Sequence, residues 1–485
     1  MLKRCLCLFL VVFLLIPGHV YASVPYQSYS FDNWMAFVPS PVPYVPEVTI
    51  NNLSLGISPL SRPADMFVCP NRYLYIADTG NNRIIVVDDS YKLVRIIEYF
   101  TRDGQIETFS NPNGLFVDAS GNIYVADTGN NRVVAFDTYG EMFLIIDSLP
   151  EIADSVAGFV PLKITVNRDG RVYVIDQNVF EGILTYSPTG EFISFFGRID
   201  VRVNPWDWLW SRILATQAQR ERTLLYIPME FNNLDIDSRG FIFATYICLN
   251  DDQRVKRLNP LGTDILQPII DGRGISPIIG DLFWTVRGPG SGPSNFIDVK
   301  ARTHGMFSVL DNTRNRVFTY DSEGNLLYVF GGAGNIEGMT RRPVALEVMG
   351  DRILILEQNR GDVTVFKPTE YGYWINRAVA YRYDGMEQEA VAAWREVLRL
   401  NAHFELAFAG IGKSLLASGN HREALYYLRR GNNTHFYSIA FRRFRTEVMS
   451  EYSNWILSGV LLAAVLYATV KIKKHVKRGR KENDA

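Results

Sequence analysis

The sequence predicts an all-β six-bladed propeller, then an α-helical hairpin pair, then one transmembrane helix. Three observations carry this reading. First, an eight-residue stretch is written twice, as Ile76-Ala77-Asp78-Thr79-Gly80-Asn81-Asn82-Arg83 and Val125-Ala126-Asp127-Thr128-Gly129-Asn130-Asn131-Arg132, with a looser copy running from Val309 to Arg316. Second, a helical pattern near the C-terminus repeats its small and aromatic residues: Trp374, Ala378, Tyr381 and Gly385 are echoed by Phe408, Gly412, Leu415 and Gly419. Third, the apolar run from Trp455 to Val470 is followed at once by Lys471, Lys473, Lys474, Lys477, Arg478, Arg480 and Lys481.

In chain order, residues 1–22 read as a secretory signal. Lys3 and Arg4 precede an apolar run from Leu6 to Ile16, and small Ala22 marks the cleavage point. The run is too short to span a bilayer. Residues 23–60 are rich in Pro, Tyr and Ser and read as an extended leader. The leader's end, Val48-Thr49-Ile50 through Leu53-Ser54-Leu55, alternates like a strand that completes a sheet begun elsewhere.

From residue 61 to 370 the chain divides into six similar units. Their first strands centre on Met66-Phe67-Val68, Leu115-Phe116-Val117, Ile164-Thr165-Val166, Leu234-Asp235-Ile236, Ile297-Asp298-Val299 and Leu346-Glu347-Val348. Short apolar runs bounded by Gly and Asn read as buried strands joined by turns. Four such strands per unit make a sheet that cannot bury both faces alone, so the units stack radially as blades. Within a unit, hairpin closure puts Asp127 opposite Arg132, an opposed pair worth about 0.2–1 kcal/mol. Because the aspartate recurs once per unit, it serves the repeat as a turn staple and is not read as a catalytic acid.

The strand, Asp-Thr-Gly-Asn-Asn-Arg, strand pattern resembles the NHL repeat family of six-bladed β-propellers. Units one, two and five match it well. Unit three keeps Asp176 but lacks the Gly-Asn-Asn turn, unit four has Tyr246 in place of the aspartate, and unit six has Glu357.

Two insertions, 197–225 and 259–293, break the period. The first carries Trp206, Trp208 and Trp210 on a short amphipathic helix, and the second carries Phe283-Trp284. Insertions in a repeat array map to loops on one face, often the binding face. The three tryptophans are therefore candidate partner-binding residues, with packing onto the propeller as the competing role. Residues 371–438 resemble two tetratricopeptide repeats, with Gly385 and Gly419 at the turns between helices. Such pairs bind peptides or pack on a neighbouring domain. Residues 439–454 read as a capping, juxtamembrane helix, 455–472 as the span and 473–485 as a cytoplasmic tail, by the positive-inside rule.

The chain is 47% hydrophobic with a net charge of −1. Because the signal and the tail are both basic, the exported part is acidic, which argues against nucleic-acid binding. Cys69 and Cys248 fall in different units, and the sequence leaves open whether they pair. Aligning the units puts Asp65, Asn113, Lys163, Asn232 and Asn295 around one mouth of the central channel, as candidate ligand-binding residues. Propeller lactonases that look related hold a metal with carboxylates and amides from several blades. Here Asp65 and Asn232, with Glu230, are fewer acidic donors than a hard cation wants. The propeller contains one histidine, His304, expected as a structural residue in a strand. The expectation is a non-enzymatic, membrane-anchored, extracytoplasmic binding or scaffold protein that engages a protein or glycan. No cofactor, metal or catalytic residue is assigned. The alternative is a metal-dependent propeller hydrolase of the lactonase kind.

Overall fold

The computed structural model describes residues 24–150, 158–197, 230–246, 254–266, 280–281 and 291–483, apart from 33 and 35. The signal, the three insertion tryptophans and Cys248 lie outside the described residues.

Six antiparallel sheets follow one another in sequence. The second shows the pattern: Pro112–Val117, Ile123–Asp127, Arg132–Phe136 and Met142–Ile146 pair in that order. Blade four has three described strands, Phe231–Ile236, Ile242–Tyr246 and Val255–Leu258. The first strands of successive blades neighbour one another, and Pro343–Met349 of blade six returns to Asp65–Val68 of blade one. The molecule is a closed six-bladed β-propeller. The middle strands are buried on both faces, as along Arg83–Val87, while outer strands such as Leu93–Ile97 are half exposed. Stacking of the blades is why the middle strands read as continuous apolar runs instead of alternating ones.

The ring is closed by the leader. Tyr44–Ile50 pairs with Asp362–Pro368 as the fourth strand of blade six, so the N-terminal segment does complete a sheet begun elsewhere. The strand ends sooner than its alternation predicts. Asn52–Leu55 is a helical turn, with Asn51 Oδ1 accepting from Ser54 N and Ser54 Oγ accepting from Asn51 N, both at 2.9 Å. This capping box supplies partners for orphan N–H groups at the helix start and overrides the period-2 pattern. Upstream, the leader is not simply extended: Ser28–Phe31 and Phe37–Ser40 form a hairpin lying against blade five, where Ser28 Oγ donates to the Val329 carbonyl. His304 lies in a turn and not in a strand, with φ 58°, and pairs with Asp384 at 3.4 Å.

After the propeller come helices Glu370–Tyr383, Glu387–Leu400, Glu405–Ala417 and His421–Arg430, in antiparallel pairs. Gly385 and Gly419 sit between the paired helices with φ of 77° and 85°, a conformation that glycine adopts without steric cost. A last helical run, Thr434–Asn483, bends by 44° between Trp455 and Leu457. No single described helix is long and apolar enough to cross a membrane; only the bent pair Thr434–Trp455 and Leu457–Lys474, taken together, has the length and composition to be a candidate.

The helices share one hydrophobic core with the propeller. Met306, Leu327 and Phe330 of blade five pack in the same cluster as Tyr371, Ile375, Trp394 and Leu428. A polar knot lies beside it: Arg302 donates to the hydroxyls of Tyr328 and Tyr44 at 2.7 and 3.1 Å, and Asn376 joins both tyrosines from the first helix, at 2.8 and 2.9 Å.

Candidate functional site

The repeated turn is built for closure. Asp127 Oδ1 accepts from Ser110 N at 2.7 Å, while Oδ2 accepts from Asn130 Nδ2 and Arg132 Nε, each at 2.8 Å. Asp78 repeats this with Ser61, Asn81 and Arg83. The hydroxyls of Thr79 and Thr128 donate to the Pro112 and Pro161 carbonyls, each on the first strand of the next blade. The carboxylate's three hydrogen bonds thus all serve the turn and its anchoring. Blade five departs from the pattern. Arg316 lies opposite Asp311 in register, but its Nη1 instead binds Asp281 at 2.9 Å and the Tyr29 hydroxyl at 3.0 Å. In blade six Glu357 takes the aspartate's place and accepts from Arg342 N and Arg360 N.

At the centre, the inner strands present two rings of side chains. Register places Asp65, Gly114, Lys163, Asn233, Asp298 and Ala345 at one level, and Phe67, Phe116, Thr165, Asp235, Lys300 and Glu347 two residues deeper. Of the five side chains expected around the mouth, Asp65 and Lys163 line the channel and form an ion pair at 2.7 Å. Asn113, Asn232 and Asn295 do not line it. Asn113 and Asn232 occupy a one-residue bulge, between Pro112 and Gly114 and between Phe231 and Asn233. With a side-chain period of two, one extra residue changes which neighbour faces the axis. Asn232 donates to the Phe296 carbonyl at 2.8 Å, and Asn295 donates to Asn312 at 3.2 Å, on the exposed turn of blade five. Glu230 is exposed and stands outside the channel lining.

The charges inside the channel satisfy one another and the backbone. Asp65 accepts from Leu115 N, Asp298 from Leu346 N and Asp235 from Ala301 N, so each acid staples its strand to the inner strand of a neighbouring blade. Asn233 donates to Asp298 at 2.6 Å, and Lys300 lies 2.8 Å from Glu347 and 3.3 Å from Asp235. Burial pushes Asp298 up to about 7 against the pull of Lys163. Burial also pushes Glu347 up, with Asp235 adding to the rise and Lys300 opposing it. The remaining cavity is about 20 Å³, room for roughly one water molecule. The channel is a plugged ionic core that can hold a proton and a water. Among the described residues, no three His, Cys, Asp or Glu side chains are grouped to hold a metal ion.

The sequence alignment overlooked Asp235, Asp298, Lys300 and Glu347 as channel residues. Their signal was present: four charged residues within three inner strands, Asp235 on the first, Asp298 and Lys300 on the second and Glu347 on the third. Buried charges of that kind demand partners, which inner strands of neighbouring blades can supply.

Residues 109–136, one repeat in blade two, match the NHL repeat family model. No curated protein sequence matches the chain. Among solved structures, virginiamycin B lyase from Staphylococcus aureus is similar at 11% identity and a TM-score of 0.38, covering 66% of this chain and 98% of the lyase. A Bacteroides caccae protein of unknown function is similar at 10% identity and a TM-score of 0.35, covering 62% of this chain and 93% of its own.

Proposed function

We propose that the chain is a membrane-anchored protein of the cell exterior, in which the propeller and helix pairs form a binding or scaffold unit for a protein or glycan partner. One observation carries this reading. The side chains of Leu457, Val460, Leu461, Leu462, Val465, Leu466, Val470 and Ile472 are all exposed, on a helix that leads into the basic tail. An apolar surface of that extent does not stay in water and calls for a lipid environment. The bend at Trp455 falls where an interfacial aromatic belongs, and the cations beyond Val470 favour the cytoplasmic side.

In this reading the helix pairs are tetratricopeptide-type repeats. Support comes from their close packing: a Cβ on Gly410 would lie 2.5 Å from Trp394, and one on Gly412 would lie 2.5 Å from Leu428. The plugged channel shifts the expected contacts to the mouth around Asp65 and Lys163 and to the outer surfaces, with the Trp206, Trp208 and Trp210 insertion as the candidate anchor. Crosslinking in intact membranes, followed by purification, tests this. A specific protein or glycan should be recovered with the wild-type chain and lost on replacing the three tryptophans by alanine. A hydrolytic activity that disappears with a bound divalent metal would overturn the binding role in favour of a lactonase-like enzyme.

A further inference from the structure

Between the propeller and the helix pairs lies a cavity of about 240 Å³. Its propeller wall is the outer turn of blade five, Asp321 to Glu323, and its helical walls come from three successive helices, through Arg382, Glu387, Trp394 and Lys413. The volume corresponds to about eight water molecules at about 30 Å³ each. Junctions between modules are where ligand cavities preferentially form.

The wall contains buried polar atoms of both signs that make no hydrogen bond within the chain. These are Arg382 Nη1, Glu387 Oε2 and Trp394 Nε1, the last on a side chain only 3% exposed. Arg382 and Glu387 attract each other across 3.9 Å, too far for a direct hydrogen bond, and Arg382 stands 3.8 Å from Glu323. Leaving such groups without partners is destabilising, so something that donates and accepts belongs between them.

The propeller itself shows what the helical wall recognises. Glu323 reaches across to the buried Lys413, whose ammonium also lies 4.6 Å from the Phe436 ring. Burial would raise the Glu323 carboxyl, but Lys413 and Arg382 outweigh it and hold it below its usual range. Lys413 is thereby committed to the chain's own carboxylate. Arg382 and Trp394 keep unused donors, and Glu387 keeps an unused acceptor.

The geometry points to this cavity as a binding site for a free α-amino acid, its carboxylate held by Arg382 and the Trp394 indole N–H and its ammonium by Glu387. A simple anion would face Glu323 and Glu387 without compensation, and a simple cation would leave Arg382 and Trp394 unpartnered. A zwitterion satisfies all three groups. The site does not depend on the membrane reading, since every wall residue belongs to the propeller or the helix pairs.

Thermal unfolding of the full chain in detergent, titrated with glycine, alanine, lysine and glutamate, tests the assignment. At least one should raise the melting temperature saturably. N-acetylalanine and alaninamide, which lack one charge each, should do so less. Arg382→Gln and Glu387→Gln should each weaken binding by about tenfold or more, the scale of a lost charged hydrogen bond. Trp394→Phe, which keeps the ring and removes only the N–H, should weaken it several-fold. No shift with any amino acid, or undiminished binding in all three variants, overturns the proposal. Should a charge variant fail to fold, the folded Trp394→Phe chain decides: weaker binding supports the site and unchanged binding overturns it.

Discussion

Asp127 is fully buried and holds three partners, so its removal takes an acceptor from each of them. Asp127→Ala leaves Ser110 N without its acceptor, Asn130 Nδ2 with only the long bond to the Thr108 carbonyl, and Arg132 with Glu107 and that same carbonyl. Because Arg132 keeps its ion pair with Glu107, the cost is that of stranded buried polar groups, about 1–3 kcal/mol for each. The variant should unfold at clearly lower denaturant in equilibrium unfolding of the purified chain. Asp298 makes a second prediction, in pH. Unfolded, it titrates near its ordinary 3.8; folded, near about 7. Between those values the folded state keeps a proton that the unfolded chain has released. Its contribution to stability is therefore full below about pH 4 and is lost as pH rises toward about 7. Asp298→Asn should flatten that part of the profile, while lowering stability because in either orientation the amide NH₂ faces an N–H donor, Leu346 N–H on one side or Val299 N–H and Asn233 Nδ2 on the other. Denaturation midpoints measured across this range check both effects.

Among the elements, the blades were the most legible in the sequence, because stacking buries both faces of their middle strands and leaves short apolar runs between Gly and Asn turns. The Asp127 to Arg132 opposition was legible for the same reason, since turn length fixes register. The inner-strand bulges were not. A single extra residue at Asn113 or Asn232 has no compositional mark, yet it decides which neighbour faces the axis. The short helix after Ile50 was readable from Asn51 and Ser54 but was masked by alternation of the apolar residues around it. The helix pairs were read as able to pack on a neighbouring domain, but their docking on blade five and the leader strand could not be located, because it rests on contacts such as Asn376 to Tyr328, 48 positions apart, and to Tyr44, 332 positions apart. This docking yields its own prediction. Asn376→Ala removes the acceptor for the Tyr328 hydroxyl and the donor to Tyr44, leaving buried groups unmatched at a cost of about 1–3 kcal/mol. Chemical denaturation should report a loss of that order.

At the scale of the whole molecule, the propeller and helix pairs form one body through their shared core, closed at one edge by the leader strand Tyr44–Ile50. From that body extends a helix whose apolar residues beyond Trp455 touch nothing else in the chain sufficiently to cover them. In the function proposed above, the folded unit lies on one side of a bilayer and the basic tail on the other. A single labelling experiment tests this central claim most directly. In a chain otherwise free of cysteine, one cysteine replaces Tyr139, which is 94% exposed on blade two, and in a second variant one replaces Gly479 in the tail. With a membrane-impermeant thiol reagent on intact cells, the residue 139 site should label at once and the residue 479 site only after permeabilisation. Labelling at 479 but not 139 would reverse the orientation, and labelling at both sites on intact cells would contradict membrane anchoring altogether.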